Sequence, residues 1–219
     1  MTLAHAPLGA PSSWVTRWAH LIRPGGRVLD LACGSGRHAA WLAGQGFDVL
    51  AVDRDAEAVA GLPAGVSGRV ADLEQGGWPL ADVTDMTDGA PLDAIVVTNY
   101  LHRPLWPHLL AALAPAGVLI YETFAIGNET VGKPSRPDFL LKPGELLDVA
   151  RGALRVVGYE DGVVEVPKTA FVQRICAVRE PAGGAPGTAP PRYGLPARPR
   201  LAGRAVCPAP CQRAGRFTR

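Results

Sequence analysis

The sequence has no apolar run approaching the roughly 18 residues needed to cross a bilayer. Its first residues, MTLAHAPLGAPSSW, lack the basic-then-apolar pattern of a secretory leader. Neither a membrane partner nor export is therefore expected. Cysteine is scarce, at Cys33, Cys176, Cys207 and Cys211. The first two fall in strand or strand-end positions, which suggests buried thiols; no disulfide framework is expected, and a cytoplasmic location is. Cys207-Pro-Ala-Pro-Cys211 has no second pair to complete a zinc site, so no metal is expected. Acid is missing altogether from residues 181–219, which hold seven arginines and eight prolines. The rest of the chain carries 20 acidic against 15 basic side chains, a balance of −5 beneath the overall +2. A mildly acidic body does not resemble a nucleic-acid-binding domain. The tail's composition cannot bury a core and reads as disorder.

What is present is ordinary globular material, 47% apolar and 19% charged, in a chain of 219 residues. The organisation expected is one domain over residues 1–180 followed by the tail, 181–219. Apolar spacing predicts helices over 12–23, 37–44, 55–62, 104–114 and 143–151. Strands are expected at 28–32, 47–53, 66–71, 92–98, 118–124, 154–160 and 169–178, with 73–91 mostly loop. The first five strands are apolar throughout, as when both faces of a sheet are covered. Their alternation with helices predicts an open, doubly wound, mostly parallel sheet in three α/β/α layers. The last two strands are too close in sequence for a crossover and read as an antiparallel pair.

The richest stretch is VLDLACGSGRH, residues 28–38. A strand from Val28 to Ala32 breaks into a glycine turn and opens a helix. Gly34 and Gly36 permit backbone angles and close ligand approach that side chains resist. The free N–H groups of the helix start face the same space. Asp30 sits inside the apolar run, where a carboxylate is costly without partners. Asp53 ends the second strand, 19 positions after Gly34, where an acid can accept from a ribose diol or cap the next helix. Asp72-Leu73 follows the third strand, placed either to read an adenine edge or as a plain loop acid. Asn99-Tyr100-Leu101-His102 ends the fourth strand, at the edge where open α/β sheets bind ligands.

In this order and spacing the four motifs resemble those of the class I S-adenosylmethionine-dependent methyltransferases, in the style of the tellurite-resistance-type and related small-molecule enzymes. The resemblance spans about residues 12–180. It implies a Rossmann-like seven-stranded sheet with an antiparallel last strand, and S-adenosylmethionine as cofactor. It also implies roles: Ala32, Gly34 and Gly36 against the methionine part, and Asp30 toward the ammonium with a carbonyl near Asn99 and Tyr100. Asp53 would take the ribose, Arg54 the adenine edge, and Asp72 and Leu73 the base, with Trp78 either covering the adenine or anchoring a loop. A nucleophile would displace the methyl in line, and His102 is the candidate base for an oxygen or nitrogen acceptor.

The N-terminal helix with Trp14 and Trp18, and the connection 124–147 with Asn128, Glu129, Lys133 and Arg136, are expected to control the acceptor. Directly after the fourth strand there is neither an Asn/Asp-Pro-Pro-Tyr motif nor Pro-Cys. This disfavours base methylation and points to a small-molecule acceptor, with the protein a monomer or homodimer. An NAD-dependent oxidoreductase and a non-catalytic cofactor-binding partner protein remain the alternatives.

Overall fold

The computed structural model describes residues 8–75, 78, 80, 91–181 and 191–195. In chain order the elements are α1 (Ser13–Trp18), β1 (Arg27–Leu31), α2 (Arg37–Gly44), β2 (Asp48–Asp53), α3 (Ala56–Ala60) and β3 (Val66–Val70). They continue with β4 (Leu92–Thr98), α4 (Trp106–Ala112), β5 (Leu113–Phe124), α5 (Glu145–Ala150), β6 (Arg155–Val164) and β7 (Ala170–Val178). The strands form one seven-stranded sheet in the order β3-β2-β1-β4-β5-β7-β6. Strands β1 to β5 pair in parallel, and β7 runs antiparallel to both β5 and β6. This is the Rossmann-like sheet the sequence implied.

Side chains alternate between the two faces of the sheet, as the strand period of two requires. Leu29, Leu50, Ile95, Leu119 and Ile175 pack on one side with Leu105 just before α4, Leu109 of α4 and Leu146 of α5. Val28, Val49, Ala94, Val118 and Cys176 pack on the other with Ala39 and Leu42 of α2 and Trp14 and Trp18 of α1. Covering both faces explains why the central strands β1, β2 and β4 read as largely apolar runs, whereas β3 and β6, at the two edges, are polar and partly exposed.

Helix α2 has the expected bounds, and the other helices are shorter than the periodicity predicts. The expected helix 12–23 is α1 plus a single 3-10 turn, Ala19–Leu21. The segment 104–114 divides into a 3-10 turn, Arg103–Leu105, and α4; Pro104 and Pro107, which have no N–H, sit in the first turn of each. Strand β5 begins earlier than expected, at Leu113, and kinks where Ala116 takes φ +65. Trp14 and Trp18 are core residues, 2% and 1% exposed. The Trp14 indole N–H donates to the Ile175 carbonyl at 3.2 Å. They anchor α1 to the sheet and do not line an acceptor site, because a large ring gains more from burial than from a polar rim.

Residues 191–195, within the stretch expected to be disordered, lie against β6. Tyr193 packs beside the α1 face of the core and under the Arg155 guanidinium, 5.4 Å from its ring centroid. The Gly194 carbonyl meets His20 Nε2 at 2.9 Å. Cys207 and Cys211 lie outside the described residues.

Gly158 of β6 faces Trp18 so closely that an added Cβ would lie 2.9 Å from the ring's Cε2 and Cη2 atoms. The ring is buried and cannot swing away. Gly158→Ala should therefore cost about 1–3 kcal/mol, seen as a lower urea midpoint with an unchanged slope.

Candidate functional site

Strands β1 and β4 are neighbours whose onward connections lead to opposite halves of the sheet. The crevice outside their C-terminal ends is where such sheets take ligands. Both strand ends carry a non-glycine residue in the left-handed region, Ala32 at φ +55 and Asn99 at φ +56. Between Ala32 and α2 the glycine loop turns at Gly34 (φ +54) and Gly36 (φ +79). A Cβ on Gly34 would meet nothing within 4 Å, so the space over the loop is open.

Asp53 fixes this loop. Its Oδ2 accepts from the Gly34 N–H at 2.8 Å, and its Oδ1 accepts from the Asp55 N–H at 3.0 Å. Each oxygen keeps a further lone pair for a ligand. Helix α3 is capped instead by Asp55, which accepts from Glu57 and Ala58. Asp72 Oδ1 accepts from the Glu74 N–H at 2.9 Å, turning the chain after β3.

Asp30 lies beneath the loop and is 1% exposed. Its Oδ2 accepts from the Ala39 N–H at 2.9 Å. It thus caps α2 from the neighbouring strand, where Gly36 has no side chain to do so. Its other oxygen, Oδ1, is buried without a partner. Burial pushes the carboxyl up to about 7, only partly opposed by the Ala39 N–H and the Arg37 charge.

His38 went unremarked in the sequence. It is 2% exposed and bridges three elements. Its Nε2 accepts from the Ser12 N–H at 3.1 Å, so the ring proton sits on Nδ1, 3.3 Å from Thr98 Oγ1. Burial first, and the Arg37 charge second, lower its pKa to about 4. The only hint in the sequence is its place on the inward stripe of α2 beside Ala39 and Leu42.

These two buried groups pull the pH dependence of stability in opposite directions. A depressed histidine leaves the folded state short of a proton between about pH 4 and pH 6.5, so its contribution rises with pH. A raised aspartate leaves the folded state holding an extra proton between pH 3.8 and about 7, so its contribution falls with pH. Each slope is about 1.4 kcal/mol per pH unit, and they oppose over the shared window. Urea titrations across it should show His38→Gln losing stability as pH rises and Asp30→Asn gaining it. Profiles parallel to the parent protein would refute the pairing.

Two cavities share this crevice. The first, about 270 Å³, is lined by Ala32, Asp53, Arg54, Ala71, Asp72, Leu73, Glu74 and Tyr100. The second, about 220 Å³, is lined by Glu74, Asn99, Tyr100, Leu101, Thr123, Phe124, Pro134 and Phe139. Glu74 and Tyr100 form their common wall. The Tyr100 hydroxyl is buried without a partner. Burial, then the Glu74 and Asp72 charges, hold it protonated above the usual phenol range.

The first cavity gathers Ala32, Asp53, Arg54, Asp72, Leu73 and Tyr100 as the sequence expected. Asn99 faces the second. Gly34 and Gly36 shape the loop without lining either, and Asp30 is screened by it, because a mid-strand side chain on this face points into α2. His102 is half-buried and lines neither cavity; its carbonyl accepts from Leu105 N–H at 3.1 Å to start the next turn. Trp78 stacks on His108 with ring centroids 5.5 Å apart, which makes it a loop anchor.

None of the four polar residues expected to face an acceptor lines these cavities. Asn128 is buried and structural, its amide N–H donating to the Pro134 carbonyl and its Oδ1 accepting from Phe171 N–H. Glu129 accepts from Gly127 N–H, Arg136 pairs with Asp138, and Lys133 is exposed. The connection contributes instead through Phe124, Pro134 and Phe139. Arg103 holds it in place, gripping Glu145 at 2.6 Å and the Asp138 and Leu140 carbonyls at 2.8 and 2.9 Å.

The fold, the glycine loop under an acid at the end of β2 and the second acid after β3 define a class I S-adenosylmethionine-dependent methyltransferase. The methyltransferase domain family model matches residues 4–134, and the chain belongs to that family. It is 36% identical over 118 residues to a protein-L-isoaspartate O-methyltransferase of Chlorobaculum tepidum, covering 48% of each chain. It is 29% identical over 147 residues to the ribosomal RNA small subunit methyltransferase J of Escherichia coli, covering 64% of this chain and 55% of the other. The chain thus spans about half the length of the curated relatives it matches. Among solved structures, TehB from Haemophilus influenzae superposes with a TM-score of 0.59 at 20% identity, over 74% of this chain and 60% of that one. A TehB-like S-adenosylmethionine-dependent methyltransferase from Corynebacterium glutamicum gives 0.52 at 20% identity, over 74% and 86%. At that identity the structures speak for the fold.

The residues present fit the family's cofactor, S-adenosylmethionine. The carboxylates of Asp53 and Asp72 retain accepting capacity at one cavity, and the space above Gly34 is open. Among the described residues no group of three metal-ligating side chains occurs, and no helix is long and apolar enough to cross a membrane.

Proposed function

We propose that the protein transfers a methyl group from S-adenosylmethionine to a small-molecule acceptor by direct in-line displacement. When bound, the cofactor supplies a methyl on a positively charged sulfur, which departs as a neutral thioether. Asp53 holds the ribose hydroxyls with the lone pairs its backbone bonds leave free, Asp72 and the Leu73 backbone meet the base, and Arg54 lines its edge. Asp30 acts from below, setting the glycine loop and α2 so that their N–H groups face the methionine part. Alignment and exclusion of water are the protein's main contributions.

The observation that carries the small-molecule reading is the second cavity, about 220 Å³, walled by the tied-down connection and sharing Glu74 and Tyr100 with the first. Among the described residues no arginine or lysine lines it. This speaks against an acceptor that presents a phosphate backbone, as the RNA named for one relative does, or a carboxylate, as isoaspartate would. We further infer that residues 1–180 form the catalytic domain and that 181–219 are an appended segment. The free, buried thiols of Cys33 and Cys176 suit a reducing cytoplasm.

Calorimetry with S-adenosylmethionine, S-adenosylhomocysteine and NAD tests the reading. The two sulfur compounds should bind and NAD should not; tighter binding of NAD would establish an oxidoreductase site instead.

A further inference from the structure

Resting on the methyl-transfer reading, we infer that the acceptor is a small amine. It binds as its ammonium in the second cavity, and Glu74 takes the proton it must lose. The cavity, about 220 Å³, is below the usual range for drug-sized ligands, so the molecule is compact. Aromatic rings of Tyr100, Phe124 and Phe139, with Pro134, form its walls. Ring faces attract cations and have no use for anions. Arg136 already lies over Phe139, 5.3 Å from the ring centroid, so Tyr100 and Phe124 are the faces left for a second cation.

Among the described lining residues Glu74 is the one carboxylate, and no basic side chain accompanies it. Arg54 lies on the first cavity's side of the shared wall, and the guanidinium groups of the connection are taken up elsewhere: Arg136 on Asp138, and Arg103 on Glu145 and two carbonyls. Inside the second cavity an anionic acceptor would face the Glu74 carboxylate with no basic side chain among the described lining residues. Glu74 and Tyr100 also wall the first cavity. They therefore hold the nitrogen at the boundary across which the methyl must pass.

An ammonium has no lone pair and cannot attack. Glu74 accepts one proton, and the freed nitrogen pair forms the new N–C bond. The S–C pair stays on sulfur, which becomes a neutral thioether. The product nitrogen is again cationic, and Glu74 returns its proton to solvent, so one proton is released per methyl transferred.

The test uses the full chain saturated with S-adenosylhomocysteine and three probes of matched shape: phenethylamine, phenethyl alcohol and hydrocinnamate. By calorimetry the amine should bind roughly tenfold tighter than the alcohol, and hydrocinnamate should give no heat. Glu74→Gln should lower the amine-to-alcohol ratio, leaving only the part the aromatic walls supply. In a methyl-release assay its deficit on phenethylamine should shrink from about pH 7 to about pH 9, as the free amine becomes more abundant. Equal or tighter binding of the alcohol or the carboxylate, an unchanged ratio in Glu74→Gln, or no binding of any probe overturns the assignment. Failure of S-adenosylhomocysteine itself to bind would overturn the methyl-transfer reading instead.

Discussion

Asp53→Ala should weaken S-adenosylhomocysteine binding by about two orders of magnitude. Two losses combine. The ribose hydroxyls lose a charged acceptor, and hydrogen bonds to charged groups are worth about 1.5–3 kcal/mol. The Gly34 N–H, held at 2.8 Å by Asp53 Oδ2, loses the partner that sets the glycine loop. Asp53→Asn separates the two, since its amide oxygen can still serve one N–H but its nitrogen cannot accept. It should fall between the parent and Asp53→Ala. Calorimetry decides; an unchanged dissociation constant in Asp53→Ala would remove this residue from the cofactor's contacts.

Glu122→Ala should be the most destabilising of the changes considered, costing about 3 kcal/mol. Glu122 is 6% exposed, and its Oε2 lies 2.5 Å from Arg174 Nε. That N–H is not aligned for a hydrogen bond, so the pair is an ionic contact. Its Oε1 accepts from Ser12 Oγ at 2.8 Å. Removing it leaves Arg174, a largely buried guanidinium, with only the exposed Glu160 at 3.3 Å. An uncompensated buried charge costs more than the pair ever contributed. Replacing both partners, as Glu122→Leu with Arg174→Leu, should recover most of the loss. Ser12 would also be freed, so amide exchange should quicken at residues 12–16, where the Thr16 N–H bonds to the Ser12 carbonyl. Urea midpoints of the two variants measure the first effect; equal losses in both would refute the charge account.

The centre of the sheet was legible because β1, β2, β4 and most of β5 are buried on both faces, and burial leaves an apolar trace in each. Asp53, Asp72 and Tyr100 were legible because they end strands, and strand ends in a doubly wound sheet converge on one edge. What escaped was set by packing across long separations. The second cavity draws Tyr100, Phe124 and Phe139 from three places on the chain, and no local pattern joins them. Polarity is a poor guide to the 124–147 connection, where Asn128, Glu129 and Arg136 are taken up by bonds within the protein while Phe124, Pro134 and Phe139 face the cavity. His38 escaped because a histidine on an inward helix stripe has no spacing that marks it as a bridge. Asp30 stands out in the sequence as a costly buried acid, but its partner, the Ala39 N–H, lies across the layer rather than along the strand.

Ala32 and Asn99 carry a side chain where the backbone would favour glycine, each in a conformation that costs about 1–2 kcal/mol. They end adjacent strands at the centre of the sheet, and Ala32 borders one cavity while Asn99 borders the other. A sequence selected for stability alone would have glycine at both. Directed evolution toward heat resistance should therefore find Ala32→Gly and Asn99→Gly early. Enzymes so hardened would be the ones whose discrimination among acceptors has slackened.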